Sequence, residues 1–429
     1  MKDMKLPVLI TLFLTGFYLV SSAQNIDKII NAKEVRRIES VLASDEMQGR
    51  KTFTPSIDKA ADFIAAEFKH SKLKLWDGLQ DYKQSFFMKK ATQLSAEGMM
   101  NNKVISPDNI IAISTEEELK VDNNSGYDIV VLDSPMNFIN EAFRITRTNK
   151  NTLVLVNPRF QKDFNRLKRL NRESFDTKTS VIFVIAEEKP QTYHFTIKNE
   201  IEEKALSNVI GILPGKTLKD EYVVFSAHYD HLGIGKPDAT GDSIYNGAND
   251  DASGTAAVIM LAKYFSQLNN NNRTLIFVTF TAEEIGGFGS QYFSKQIDPD
   301  KTVAMFNIEM IGTDSKWDKN SAYITGYDKS DFGKILQKNL KASNFKFEPD
   351  PYPKQNLFYR SDNATLAALG VPAHTISTSK MDSEPNYHKQ SDEIETLDLD
   401  NMAEIIKAIA ISSKSIISGK DTPGRIEKR

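Results

Sequence analysis

Apolar positions recur along this chain with two different spacings. Ile57, Ala61, Ile64 and Phe68 fall on one helical face, which predicts an amphipathic helix capped by Ser56. From Leu206 onward, short and nearly continuous apolar runs alternate with helical ones. Strands are predicted over 222–227, 275–280 and 303–308, and helices over 253–268, 290–297, 332–340 and 401–417. That rhythm predicts an α/β fold, a mostly parallel twisted sheet with helices on both faces. Between these regions the texture changes. The β-rich runs 127–132, 152–156 and 180–185 are separated by polar, Asn- and Lys-rich stretches and carry no chemical motif. The expected organisation is a discontinuous main domain, 24–90 with 201–420, and a smaller lid-like insert over 91–200.

The first residues bear on compartment. Lys2 and Lys5 precede an uncharged apolar stretch, Leu6 to Val20, followed by Ser21-Ser22-Ala23-Gln24. This is the pattern of a secretory signal over 1–23, with cleavage after Ala23 and an exported mature chain, periplasmic or secreted. The run is shorter than the roughly 20 residues a spanning helix needs, so no membrane association is expected of the mature form. The 429 residues carry 54 Lys and Arg against 57 Asp and Glu, a balance that argues against a nucleic-acid partner. With no cysteine in the chain, a disulfide scaffold, a thiol nucleophile and a thiolate metal site are excluded. Any metal must be held by His, Asp and Glu.

Five strings offer such ligands, each at a predicted strand end, where ligands gather in α/β sheets. His228-Tyr229-Asp230-His231 follows the first strand. A carboxylate two residues on can share a face with His228 and accept its ring N–H, although a structural His–Asp hydrogen bond looks the same. Asn249-Asp250-Asp251-Ala252-Ser253-Gly254 precedes a helix and also reads as a turn and cap. Glu283-Glu284 ends the next strand, where one carboxylate can bind metal and its neighbour can take a proton from a bound water. Glu309 ends the third strand, and His388 lies in a polar loop before the last helix; a solvated terminus and a surface histidine are their ordinary readings. Each string is weak alone, but their joint order is not. Together they supply two imidazoles, three carboxylates and a spare one. That inventory suits two zinc ions bridged by Asp250 and a hydroxide, one held by His228 and Glu309, the other by Glu284 and His388. Cobalt or manganese would also suit these ligands. No His-Glu-x-x-His, Gly-rich phosphate loop or nucleophilic Ser motif competes.

With these strings go 42–50 (Leu-Ala-Ser-Asp-Glu-Met-Gln-Gly-Arg), 208–215 (Asn-Val-Ile-Gly-Ile-Leu-Pro-Gly), 247–254, 307–312 and Tyr387-His388. Across roughly 34–90 and 206–415 the chain resembles the co-catalytic zinc aminopeptidases of metallopeptidase family twenty-eight, the family of bacterial leucyl-type aminopeptidases and glutamate carboxypeptidase. The resemblance implies an exopeptidase that hydrolyses the N-terminal bond of peptides, with a metal-bridging hydroxide as nucleophile and Glu283 as general base. It implies the metal ligands His228, Asp250, Glu284, Glu309 and His388, with Asp230 supporting His228, and a cis Asp250–Asp251 peptide. Many relatives have Asp where this chain has Glu309, and His where it has Asn363; Tyr359 or Arg360 nearby is a candidate substrate contact. The alternatives are a carboxypeptidase of the same family, a mono-zinc glutaminyl cyclase and an inactive peptide-binding domain.

Overall fold

The computed structural model describes residues 26–133 and 138–429. The candidate signal segment 1–23 lies outside them. Two compact units divide the chain, one made of the residues up to Ser85 together with Leu206–Arg429, the other of Phe86–Ala205. The boundaries differ by a few residues from 90/91 and 200/201 because they fall inside two long strands, Lys83–Met100 and Tyr193–Leu213. Half-buried and polar in alternation, those strands lack the continuous apolar run that marks a buried one.

In the larger unit four strands run parallel, in the order Arg273–Phe280, Leu218–His228, Thr302–Ile308, Ala373–Ser377. Val209–Leu213 flanks this set antiparallel to Leu275–Thr279. On the other side Ser321–Ile324 pairs antiparallel with Ala373–Ser377 and parallel with Lys346–Pro349. The sheet is mixed, with a parallel centre. Its register pairs Phe280 with His228, Ser226 with Asn307, and Asn307 with Thr375. The C-terminal ends of all four parallel strands therefore lie along one rim.

Strand side chains alternate between two buried faces. Val223, Phe225, Phe277 and Phe306 enter one core with the helices Ala32–Leu42, Pro55–His70, Ser253–Leu268 and Leu399–Ser412. Phe225 stacks on Phe306 at 4.8 Å and on Phe277 at 5.5 Å between centroids. Val224, Ile276, Val278 and Met305 enter the other core with Phe293 and Leu366, from the short helices Phe288–Ser294 and Asn363–Ala368. Burial of each such side chain contributes roughly 1.5–3 kcal/mol. Helix Ser253–Leu268 matches its predicted span and stops at Asn269, whose left-handed backbone closes the last turn. Helix Pro55–His70 starts one residue before the expected cap: Thr54 is the N-cap, Pro55 occupies the first turn, and Ser56 is buried within the helix.

The smaller unit has its own four-stranded sheet, ordered Ile110–Ile113, Val181–Ile185, Thr152–Val156, Asp128–Leu132, antiparallel at the first pair and parallel thereafter. Leu153 and Leu155 face one core, Val154 and Val156 the other. Burial on both faces explains why these strands read as unbroken apolar runs.

Candidate metal centre

The strand-end rim collects all five candidate ligands. His228 is the last residue of its strand, and Glu309 follows the end of Thr302–Ile308 directly. Asp250 lies in the irregular turn Ala248–Ala252 before helix Ser253–Leu268, and its peptide bond to Asp251 is cis. Asp250 is the hub. Its Oδ1 lies 3.2 Å from His228 Nε2, and its Oδ2 lies 3.3 Å from His388 Nε2. His228 Nε2 is also 3.3 Å from Glu309 Oε1, and His388 Nε2 is 3.2 Å from Glu284 Oε2. Each oxygen of one carboxylate thus meets an imidazole that meets a second carboxylate.

Three further aspartates hold the loops that carry these groups, each through backbone N–H donors. Asp230 accepts from Glu283 N at 3.0 Å and Glu284 N at 3.3 Å. Its carboxylate stands 3.8 Å from His228 Nδ1, whereas its own backbone carbonyl lies 3.0 Å from that nitrogen. The ring is therefore oriented by the Asp230 carbonyl, and the Asp230 side chain steadies the Glu283-Glu284 turn instead. Asp251 accepts from His228 N, Gly254 N and Met310 N at 3.0–3.2 Å. It lies close to His228 and Glu309, yet both its oxygens are spent on the backbone. Asp392 accepts from Asn249 N at 2.8 Å and Asp250 N at 3.0 Å. Arg50, fully buried, donates to the carbonyls of Leu42, Tyr229, Asn246 and Gly247 at 2.5–2.8 Å, tying the His228 and Asp250 loops together. Gly247 is required at its turn: φ is +60°, and a Cβ would lie 2.6 Å from the His231 ring. Ala282, Met310 and His388 also hold left-handed backbone, with φ of 60°, 50° and 55°, and each adjoins or is a candidate ligand or the candidate base.

Sequence reasoning missed His231. This fully buried ring brings Nδ1 to 2.7 Å from Glu284 Oε1 and 4.0 Å from Asp250 Oδ2. The 2.7 Å approach is not aligned as a hydrogen bond, so both ring nitrogens and Glu284 Oε1 lack hydrogen-bond partners. The adjacency of His231 to the His228-Tyr229-Asp230 string was visible, but its direction depends on the turn that follows. Asn363, at the position of departure, anchors the loop before it: its Nδ2 donates to the Phe358 and Ala373 carbonyls at 2.8 and 3.1 Å.

Burial and mutual charge set the protonation of these groups. Burial works against the Asp250 carboxylate, but the imidazoles of His228, His388 and His231 outweigh it and hold the group well below the usual carboxylate range. Hydrogen bonding to Asp250 and Glu284 lifts His388 to about 10. Burial, reinforced by the charges of Glu309, Asp362 and Glu284, pushes Glu283 well above its ordinary value. Asp362, buried with neither oxygen hydrogen-bonded, is raised to about 7 by the same burial. A cavity of about 70 Å³ opens onto Asp250, Glu283, Glu309 and His388, with Met310, Leu357, Met381 and Arg360 also in its wall.

Orphaned nitrogen and oxygen atoms, buried and convergent on a shared aspartate, fit the donor set of a divalent metal held by His and carboxylate. The fold and this rim define an α/β domain with a candidate metal centre at the strand ends. Residues 208–412 match Peptidase family M28. The chain is 30% identical over 210 residues to a probable leucine aminopeptidase of Trichophyton verrucosum, covering 47% of this chain and 54% of that protein. With leucine aminopeptidase 1 of Aspergillus niger it shares 27% identity over 231 residues, 52% of this chain and 58% of that one. The chain thus spans about half the length of the curated relatives it matches. Among solved structures it is similar to an aminopeptidase from Aneurinibacillus sp. strain AM-1 (TM-score 0.54, 18% identity, 94% of this chain and 97% of that one). It is also similar to a zinc aminopeptidase from Bacillus subtilis (TM-score 0.55, 17% identity, 91% and 95%). At those identities the likeness is one of fold.

Proposed function

We propose that the protein is an exported aminopeptidase that uses two zinc ions to hydrolyse the amino-terminal bond of peptides. One observation carries this reading: the two oxygens of Asp250 face different imidazoles, His228 and His388, each backed by its own glutamate. His228, Asp250 and Glu309 would hold one ion; Asp250, Glu284 and His388 the other. Zinc in those positions supplies Lewis acidity, lowering the pKa of water and polarising a carbonyl. Glu283, whose carboxyl is held above its ordinary pKa, is placed beside the cavity to take the proton of an attacking water and return it to the departing amine. Asp230, Asp251 and Asp392 keep the ligand loops in place, which is the part outer groups play at metal sites. The names of the fungal relatives support the aminopeptidase reading, and the basic and apolar pattern of 1–23 supports export. No helix among the described residues is long and apolar enough to cross a membrane.

Metal content per chain tests the proposal, measured by elemental mass spectrometry on purified protein after loosely bound ions are removed. About two zinc per chain, with cleavage of aminoacyl substrates that acetylation of their amino group abolishes, is the expected result. A ratio that stays at one or below under zinc supplementation overturns the two-ion reading.

A further inference from the structure

Glu309 is not held like the other candidate ligands. Ser361 Oγ donates to its Oε2 at 2.5 Å, while its Oε1 faces His228 Nε2. The direction of that hydroxyl is fixed from behind. Asn307 Nδ2 donates to Ser361 Oγ at 2.8 Å, so the serine proton is left to point at Glu309. Asn307 is itself locked: its Oδ1 accepts from Ser226 Oγ at 2.7 Å, and its Nδ2 also reaches Thr375 Oγ1 at 3.1 Å. Thr375 in turn donates to Asn363 Oδ1 at 2.9 Å. Asn307, Asn363, Ser226 and Thr375 are all buried, so each unmade bond would leave a desolvated polar group, which makes the chain all-or-none.

From this geometry we infer that Ser361 is a positioning residue that makes Glu309 a single-oxygen ligand. The hydroxyl occupies Oε2, and only Oε1 is turned toward His228 and the shared centre. A glutamate has one more rotatable bond than an aspartate and reaches a cation with either or both oxygens; the serine removes that freedom. The consequence is selective for one half of the centre, because no residue of this relay touches Glu284 or His388 among the described contacts. The inference rests on the two-ion reading above.

The test is cobalt substitution of the metal-free protein, with Ser361→Ala and Ser361→Thr beside the wild type. Affinity at each site is read by chelator competition, and coordination by the visible cobalt spectrum, in which higher coordination weakens the absorption bands. The expected result is about a 10–100-fold loss of affinity at one of two sites in Ser361→Ala, with weakened bands for that ion. Ser361→Thr, which keeps a hydroxyl, restores both. Wild-type affinities and spectra in Ser361→Ala would overturn the inference. So would equal weakening of both sites in both variants together with a lower melting temperature, the mark of a merely structural serine. A wild-type protein that binds no second ion would instead overturn the two-ion reading, so the two failures are distinct.

Discussion

The two units bury different kinds of side chain. In the smaller one the sheet faces are filled by Leu153, Val154, Ile182 and Phe183, and an ion pair such as Glu141–Arg144 stays in solvent. In the larger one the sheet interior is equally apolar, but its rim buries Asp230, Asp250, Asp251, Asp392, His228 and His231. Taking an ionised carboxylate out of water costs several kcal/mol unless partners replace the lost hydration. Here seven backbone N–H groups offset part of that cost for Asp230, Asp251 and Asp392, although burial still holds all three carboxyls above their ordinary values. Both His–carboxylate groups capable of holding an ion, among the described residues, lie in that rim. Buried polarity, organised by other buried polarity, separates the part built for chemistry from the part built for cohesion.

That contrast can be broken in order of expected effect. Replacing Glu283 by Gln keeps shape and removes the proposed base, so turnover should fall roughly 10²–10⁴-fold while metal content is unchanged; steady-state rates near wild type would take Glu283 out of the proposed mechanism. Leu153→Ala in the smaller unit should cost about 2–5 kcal/mol in chemical denaturation and leave metal stoichiometry alone. A change in stoichiometry would mean that cohesion and chemistry are not separable by unit.

A third test uses His374, buried in the larger unit away from the carboxylates, between Ser330 Oγ at 2.7 Å and the Thr325 carbonyl at 2.8 Å. Burial depresses its pKa to about 4 from 6.5. Its contribution is fully present above the unfolded value. It is lost as pH falls from 6.5 through 4, because the unfolded chain gains a proton that the folded one refuses. The loss amounts to about 3 kcal/mol. His374→Asn should flatten the stability profile between pH 7 and 4 relative to wild type, and parallel profiles would refute the assignment. The smallest effect expected is from Asp392→Asn, about a 10–100-fold loss of zinc affinity by chelator competition, since one of its two backbone acceptors becomes a donor.

Much of this was legible in the sequence where a residue's fate depends on its neighbours in the chain. The apolar runs marked three of the four parallel strands and helix Ser253–Leu268, and His228, Glu284 and Glu309 stood just beyond such runs. The short strands Ser321–Ile324, Lys346–Pro349 and Ala373–Ser377 were not legible, because polar residues or Pro interrupt each of them and leave no continuous apolar run. Nor were the roles of Arg50, Asp392 and Ser361. Arg50 reaches the Tyr229 carbonyl across 179 positions and Ser361 reaches Glu309 across 52, distances over which local pattern says nothing. Asp230 was placed beside His228 correctly in sequence, but where the chain turned after the strand decided that its side chain would serve Glu283 and Glu284.

Those long reaches have a consequence in time. When a growing chain has made His228, Asp250 and both glutamates of the Glu283-Glu284 pair, it still lacks Asp392, which grips the Asp250 backbone from 142 positions later, and His388. A nascent chain at that stage therefore carries part of the candidate metal centre without its arrangement. On the proposed reading the ligand set is complete only once residue 388 has been made, so the centre is assembled after the Asp250 loop and the Glu283-Glu284 turn rather than with them.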